Sequence, residues 1–126
     1  MSVLGIGVDV VEVGRIARAL DRWGEAFVRR IYTPAEIART EAGVARTARL
    51  AARFAAKEAV MKALGVGWRA LAWRDIEITS DPTGRPVVRL HGAARRLAEE
   101  RGIRCVLVAL SHTHAHAVAS AVALGP

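Results

Sequence analysis

One stretch, Ala51-Ala-Arg-Phe-Ala-Ala-Lys-Glu-Ala-Val-Met-Lys-Ala-Leu-Gly65, constrains the fold more than any other part of the chain. It is rich in Ala, Leu and Met, contains no proline and ends on a glycine placed just past its last turn, so it reads as one helix. At about 100° per residue, one side of that helix is entirely alanine: Ala52, Ala55, Ala56, Ala59 and Ala63. So small a face admits another element at close range. The helix is therefore expected to pack on its alanine side and to keep its charges near a cleft. Arg53 and Lys57 lie along one edge and Glu58 and Lys62 along another, with Leu50, Phe54 and Met61 projecting between them.

The lysines sharpen this expectation. The chain carries 19 Lys+Arg, and only Lys57 and Lys62 are lysine. Lysine is a compact charge that suits phosphate, whereas arginine is a rigid fork that stays protonated. Glu58 and Lys62 also stand at i, i+4 in the favourable order for an ion pair.

At 126 residues, with 52% hydrophobic and 25% charged positions, the sequence is read as one domain, 1–126, able to build its own core. No basic leader precedes an apolar run, and no apolar stretch approaches the roughly 20 residues of a membrane span. Cys105 is the single cysteine, so no disulfide can form within the chain. A soluble, cytoplasmic chain is expected. The net charge of +7 predicts anionic partners. With 5% aromatic residues and no arginine run interleaved with aromatics, a base-stacking nucleic-acid surface is disfavoured.

Gly5 to Val13 reads as a buried β-strand, with Ile6, Val8 and Val10 on one face and Gly5, Gly7 and Asp9 on the other. Glycines beside a carboxylate suggest that another backbone or a ligand comes close, and a buried Asp9 needs a cation, a donor or a metal. From Gly14 the period changes: Ile16, Leu20, Trp23 and Phe27 mark an amphipathic helix whose outer face carries Arg15, Arg18 and Arg22, with Arg29 and Arg30 near its end. Thr33-Pro-Ala-Glu36 is a strong start for a short helix running to about Thr40. Gly43 breaks it before the long helix begins near Ala45 to Thr47.

Asp75 to Thr79 and Pro86 to Leu90 form a hairpin about the turn Asp81-Pro-Thr-Gly84. Ala93 to Arg101 is helical, and Ile103 to Leu110 and Ala117 to Leu124 form a second hairpin. Without a regular βαβ alternation, the class is α+β: a largely antiparallel sheet with the long central helix packed against it. In the second turn, His112, His114 and His116 would share a face if extended, which offers a transition-metal site as the alternative to a plain turn. No Gly-x-x-x-x-Gly-Lys loop or Gly-x-Ser-x-Gly elbow is present.

Taken together, Gly5-Ile-Gly-Val-Asp9 with Glu12 and Arg15-Ile16, Arg30 to Glu36, Arg53 to Gly65 with its Lys-Glu-x-x-x-Lys core, Ile76-Glu-Ile78, Gly84-Arg-Pro86 and Leu110-Ser-His-Thr113 resemble the holo-acyl-carrier-protein synthases. These are the small stand-alone 4′-phosphopantetheinyl transferases, and the resemblance spans nearly the whole chain in order. It implies transfer of phosphopantetheine from coenzyme A to a serine of an acidic apo-acyl carrier protein, with release of adenosine 3′,5′-bisphosphate. It also implies a homotrimer with sites between subunits. By the same resemblance Asp9 and Glu58 hold Mg²⁺, and together with Lys62 they carry the catalysis. Lys62, Arg53, Gly65, Pro86, Ser111, His112 and Thr113 match positions that line the coenzyme A site, some from a neighbouring subunit. Arg15, Arg18 and Arg22 would meet the carrier protein, and Arg46 and Arg49 are further candidates for phosphate.

Many members carry an aromatic residue after the Ser-His turn where this chain has His116. Attack on a pyrophosphate needs charge neutralisation and in-line positioning more than covalent help, which the residue chemistry matches. Glu58, or a water it holds, is the expected base for the serine proton. Two other readings compete. A nucleic-acid module would spread arginine over a continuous surface, and a purely structural trimer would need no cleft. The two lysines favour the cleft.

Overall fold

The helix that the alanine face demands is the longest one among the described residues of this computed structural model, which are 1–40, 45–67 and 70–126. In chain order the elements are β1 (Ser2–Glu12), α1 (Val13–Trp23), α2 (Glu25–Ile31), α3 (Pro34–Arg39), α4 (Arg46–Leu64), a 3-10 turn (Trp73–Asp75), β2 (Ile76–Ser80), β3 (Pro86–Leu90), α5 (Gly92–Glu100), β4 (Cys105–His112) and β5 (His116–Gly125). Both expected hairpins form, and every strand pairing is antiparallel. β1, β5 and β4 make one sheet in that order, and β2 and β3 make a second. The expected break at Gly43 lies outside the described residues.

The alanine face of α4 lies on the first sheet. A Cβ placed on Gly5 would overlap the carbonyl of Ala63, and one on Gly7 would overlap the carbonyl of Ala59. Two strand residues span about 6.6 Å and four helical residues about 6 Å, so these matched contacts run α4 antiparallel along β1. The same inner face of the sheet presents Ala117, Ala119, Ala121 and Ala123, all buried, from β5. Small residues on both sides thus bring two backbones together. The larger core groups, Leu50, Val60, Leu64, Tyr32, Ile76 and Ile78, fill the space around this seam.

Local signals set the ends of the elements. Thr33 Oγ1 accepts the amide of Glu36 at 3.3 Å while Glu36 Oε1 accepts the amide of Thr33 at 2.9 Å, which satisfies two donors at the start of α3. Gly65 closes α4 in the left-handed region, with φ 80°.

Three expectations are corrected. Ile6, Val8 and Val10 are 72%, 59% and 61% exposed, so the strand's β-branched row is not buried by its own chain. The single helical layer approaches from the glycine side, and this row faces outward with Leu107 and Val118. The helix after Gly14 is not continuous either. Gly24, with φ 59°, ends α1 and redirects the chain into α2. That turn leaves Trp23 exposed instead of continuing the apolar stripe.

Candidate active site

Asp9 lies on the inner face of edge strand β1, beside the flank of α4. Lys62 extends from α4 across that edge, donating to Val8 O at 2.9 Å and to Asp9 Oδ1 at 3.2 Å. Its ion-pair partner is therefore Asp9 and not Glu58, one turn away on its own helix. The second Asp9 oxygen, Oδ2, is buried and has no hydrogen-bond partner among the described residues.

Glu58 completes the group. Burial pushes its carboxyl above the usual glutamate range, and the adjacent charge of Asp9 pushes it the same way, against the pull of Arg15 and Lys62. Two carboxylates far apart in sequence thus meet, one with an uncompensated buried oxygen. Buried polar atoms in folded proteins rarely lack partners. Oxygen donors of this kind suit a hard divalent cation such as Mg²⁺, which takes one or two carboxylates and completes its shell with water and phosphate oxygens. Asp9 and Glu58 are the side chains able to hold it.

Arg15 belongs to the rim of this group. Its guanidinium lies 5.4 Å from the centroid of Phe54, whose ring stacks on Trp73 at 4.8 Å and 25°. Arg18 and Arg22 are exposed further along α1, and Arg22 covers the ring of Trp23 at 4.9 Å. Arg53 projects from another side of α4, where its Nε donates to Ile78 O at 3.3 Å. Burial lowers the pKa of Arg53, and the charges of Arg39 and Arg49 add to this against Glu36. Arg46 is bonded through both terminal nitrogens to the carboxylate of Glu25, at 3.0 and 3.2 Å.

The other expected site residues stand elsewhere on the single chain. Gly65 sits at the end of α4, where Arg101 donates to the carbonyl of Leu64. Pro86 opens β3 and lines a groove of about 560 Å³ between β3, α5 and β4, with Arg85 and Arg104. His112 and Thr113 line another, of about 680 Å³, facing the starts of α1 and α4. Ser111 is exposed on β4, opposite Val118. One chain thus assembles Asp9, Glu58, Lys62 and Arg15, while among the described residues Pro86, Ser111, His112 and Thr113 make no hydrogen bond or ion pair with them.

The histidines do not gather into a metal site. Among the described residues no three ligating side chains cluster, and His116 sits opposite Glu12 on β1. Thr113 Oγ1 accepts the amides of Ala115 and His116, so the segment is a hydrogen-bonded turn.

Lys57 also departs from expectation. It is wholly buried instead of flanking the cleft, and donates to Glu36 Oε1 at 2.8 Å, to Trp73 O at 3.2 Å and to Ile76 O. Burial pushes its pKa down and the charge of Glu36 opposes the shift. Glu36 was legible only as a helix cap, because no local spacing links it to a lysine on another element. Trp73 and Arg101 gave no sequence signal of their contacts with Phe54 and Leu64.

A two-layer α+β domain that presents paired carboxylates and a lysine at a sheet edge carries the charges that phosphoryl transfer uses. The comparisons make the class specific. The model of the 4′-phosphopantetheinyl transferase superfamily matches residues 5–119. A holo-[acyl-carrier-protein] synthase of Desulforudis audaxviator is 52% identical over 98% of this chain and 95% of its own length. The crystal structure of the synthase from Neisseria meningitidis superposes with a TM-score of 0.89 at 38% identity, covering 98% of this chain and 99% of that one. The Helicobacter pylori synthase, solved in complex with coenzyme A, superposes with a TM-score of 0.83 at 30% identity over 94% and 99%. The chain belongs to the holo-[acyl-carrier-protein] synthase family of the 4′-phosphopantetheinyl transferases, and it is an enzyme of that class.

Proposed function

We propose that this enzyme transfers the 4′-phosphopantetheine group of coenzyme A to a serine of an acidic apo-acyl carrier protein, with Mg²⁺ held by Asp9 and Glu58. The observation that carries this reading is the convergence of Asp9, Glu58 and Lys62 around a buried carboxylate oxygen with no partner. Coenzyme A as co-substrate is supported by the related Helicobacter pylori synthase, solved with it bound.

In this reaction the serine oxygen attacks the phosphorus that bears pantetheine, and the bond from that phosphorus to the bridging oxygen breaks. Adenosine 3′,5′-bisphosphate then leaves with the electron pair. Lys62, already turned over the edge of β1, places its ammonium against the pyrophosphate. Glu58, or a water it holds, takes the serine proton. Asp9 and Glu58 would hold Mg²⁺, which would supply positive charge to the pyrophosphate. Arg53 offers a cation further along the helix for the coenzyme's phosphates.

Gly65, Pro86, Ser111, His112 and Thr113 complete the coenzyme A site, some of them from a neighbouring subunit. The outward row of Ile6, Val8 and Val10, continued by Leu107 and Val118, supports self-association, which the homotrimer reading requires, because so much apolar surface is unusual for a chain that stays alone. Arg15, Arg18 and Arg22, with Trp23 beside them, form the docking strip for the acidic carrier. We assign the reaction to the cytoplasm, and the carrier to fatty-acid or polyketide synthesis.

The test is to incubate the protein with apo-acyl carrier protein, coenzyme A and Mg²⁺ and to weigh the carrier by mass spectrometry. The expected result is a gain of one phosphopantetheine that needs Mg²⁺ and is lost in Asp9→Asn. A carrier of unchanged mass, with a competent control enzyme, overturns the assignment.

A further inference from the structure

We infer that Lys57 is a positioning residue: its buried pair with Glu36 and its bonds to two backbone carbonyls fix the rotation of α4 that turns Glu58 toward Asp9. The inference rests on the reading of Asp9 and Glu58 as the metal-holding pair.

All three protons of the Lys57 ammonium are used, by Glu36 Oε1, Trp73 O and Ile76 O. Both side chains of the pair are 0% exposed. Glu36 is fixed in turn: Oε1 also accepts the amide of Thr33 at 2.9 Å, and Oε2 accepts the amide of Ile78 at 3.0 Å. The anchor therefore joins the start of α3, the 3-10 turn and β2 to a single point on α4. It continues outward, because Thr33 Oγ1 donates to Glu77 Oε2 at 2.5 Å and Glu77 Oε1 lies 3.2 Å from His91 Nε2.

A pair of this kind is a poor source of stability. Desolvating two charges offsets most of their attraction, and apolar residues of the same volume often serve as well. What it supplies is direction, from the side of α4 opposite the first sheet. On the sheet side, alanine and glycine set how close the helix lies and its register along β1. Lys57 is adjacent to Glu58 and one turn from Arg53. A carboxylate about 6 Å from a helix axis moves about 1 Å for a rotation of about 10°. Misplacement on that scale can cost about 100-fold in rate.

The test compares wild type with Lys57→Met/Glu36→Gln, Glu36→Asp and Asp9→Asn, measuring the melting temperature, Mg²⁺ binding to the enzyme–coenzyme A complex by calorimetry, and kcat and KM for the carrier. The double variant removes both buried charges, and its single amide oxygen can accept from Thr33 or from Ile78, which bond to different oxygens of Glu36. It is expected to stay folded but to melt below wild type, because Trp73 O and Ile76 O lose their donor, to bind Mg²⁺ about tenfold or more weakly and to lose about 10- to 100-fold in kcat, with KM for the carrier unchanged. Glu36→Asp keeps both charges and shortens the reach by one methylene; it is expected to weaken Mg²⁺ binding in the same way, and it serves if the double variant does not fold. Wild-type Mg²⁺ affinity and kcat in either folded variant, with Asp9→Asn impaired, overturns the positioning role alone. Wild-type Mg²⁺ affinity in Asp9→Asn overturns the metal reading and the inference together.

Discussion

Replacing Gly7 with alanine tests the seam on which the site depends. A methyl there would overlap the carbonyl of Ala59 and come within 3.0 Å of the amide nitrogen of Ala63. Both atoms are backbone in the interior of α4, so no side-chain rotation relieves the collision and the helix itself must retreat, by about 1 Å. Overpacking of this kind costs about 1–3 kcal/mol. For a domain of this size each kcal/mol lowers the melting temperature by about 4 °C, which predicts a fall of about 4–12 °C. The retreat also separates Glu58 and Lys62 from Asp9, so kcat should fall about 100-fold. Gly14→Ala is the control, since its methyl would meet only the flexible end of Arg18, at 3.3 Å, and should leave the melting temperature level or slightly raised. Calorimetry and single-turnover transfer assays read both effects. A Gly7→Ala enzyme that melts and turns over as wild type does would refute the close-approach argument.

Ile6→Glu places a charge in the outward apolar row, on a residue 72% exposed in the single chain. Sedimentation should show a smaller species than wild type with unchanged helical content and little activity; an assembly of unaltered mass would remove the support for self-association through this face. Glu77→Gln tests the outer end of the buried network. Burial raises the pKa of Glu77, but hydrogen bonds from Thr33 and His91 and the charges of His91 and Arg89 outweigh it, so the carboxyl titrates below its ordinary 4.5. A depressed folded-state pKa means stability that is fully present above 4.5 and is lost as pH falls through the lower value. The melting-temperature gap between wild type and Glu77→Gln should therefore be full near neutrality and shrink below about pH 4.5; a gap that stays constant into acid contradicts the argument.

Much of the architecture was legible because local chemistry set it. Thr33 with Glu36, Gly65 and the Asp81 to Gly84 turn each fix an end that the backbone must respect, and the structure places elements accordingly. The buried side of β1 was not legible. Alternation shows that two faces differ, and the β-branched row looked like the one to bury. The deciding fact is distance: only the glycine face lets a helix backbone approach, so that face takes α4 and the apolar row is left for another surface. The break at Gly24 was hidden for a related reason, because one glycine within a helical period does not announce a positive φ.

The site shows where pattern stops and register begins. Gly5 against Ala63 and Gly7 against Ala59 fix a step of two strand residues per helical turn. The same step carried once more would bring Asp9 level with Ala55. Glu58 and Lys62 each stand three residues beyond an alanine of that row, on the neighbouring ridge, which is where side chains can reach over the edge strand. Every residue in this count is visible in the sequence; the direction and register of the helix on the strand are long-range facts, and no local period contains them. The two lysines make the same point from the other side. Their rarity in the chain grouped them, yet five residues on a helix are about 140° apart, so they cannot share one environment. Lys62 reaches the edge beside Asp9, and Lys57 turns into the core, where a carboxylate from a helix cap receives it. Composition grouped the two lysines, and angular position places one at the sheet edge beside Asp9 and the other in the core against Glu36.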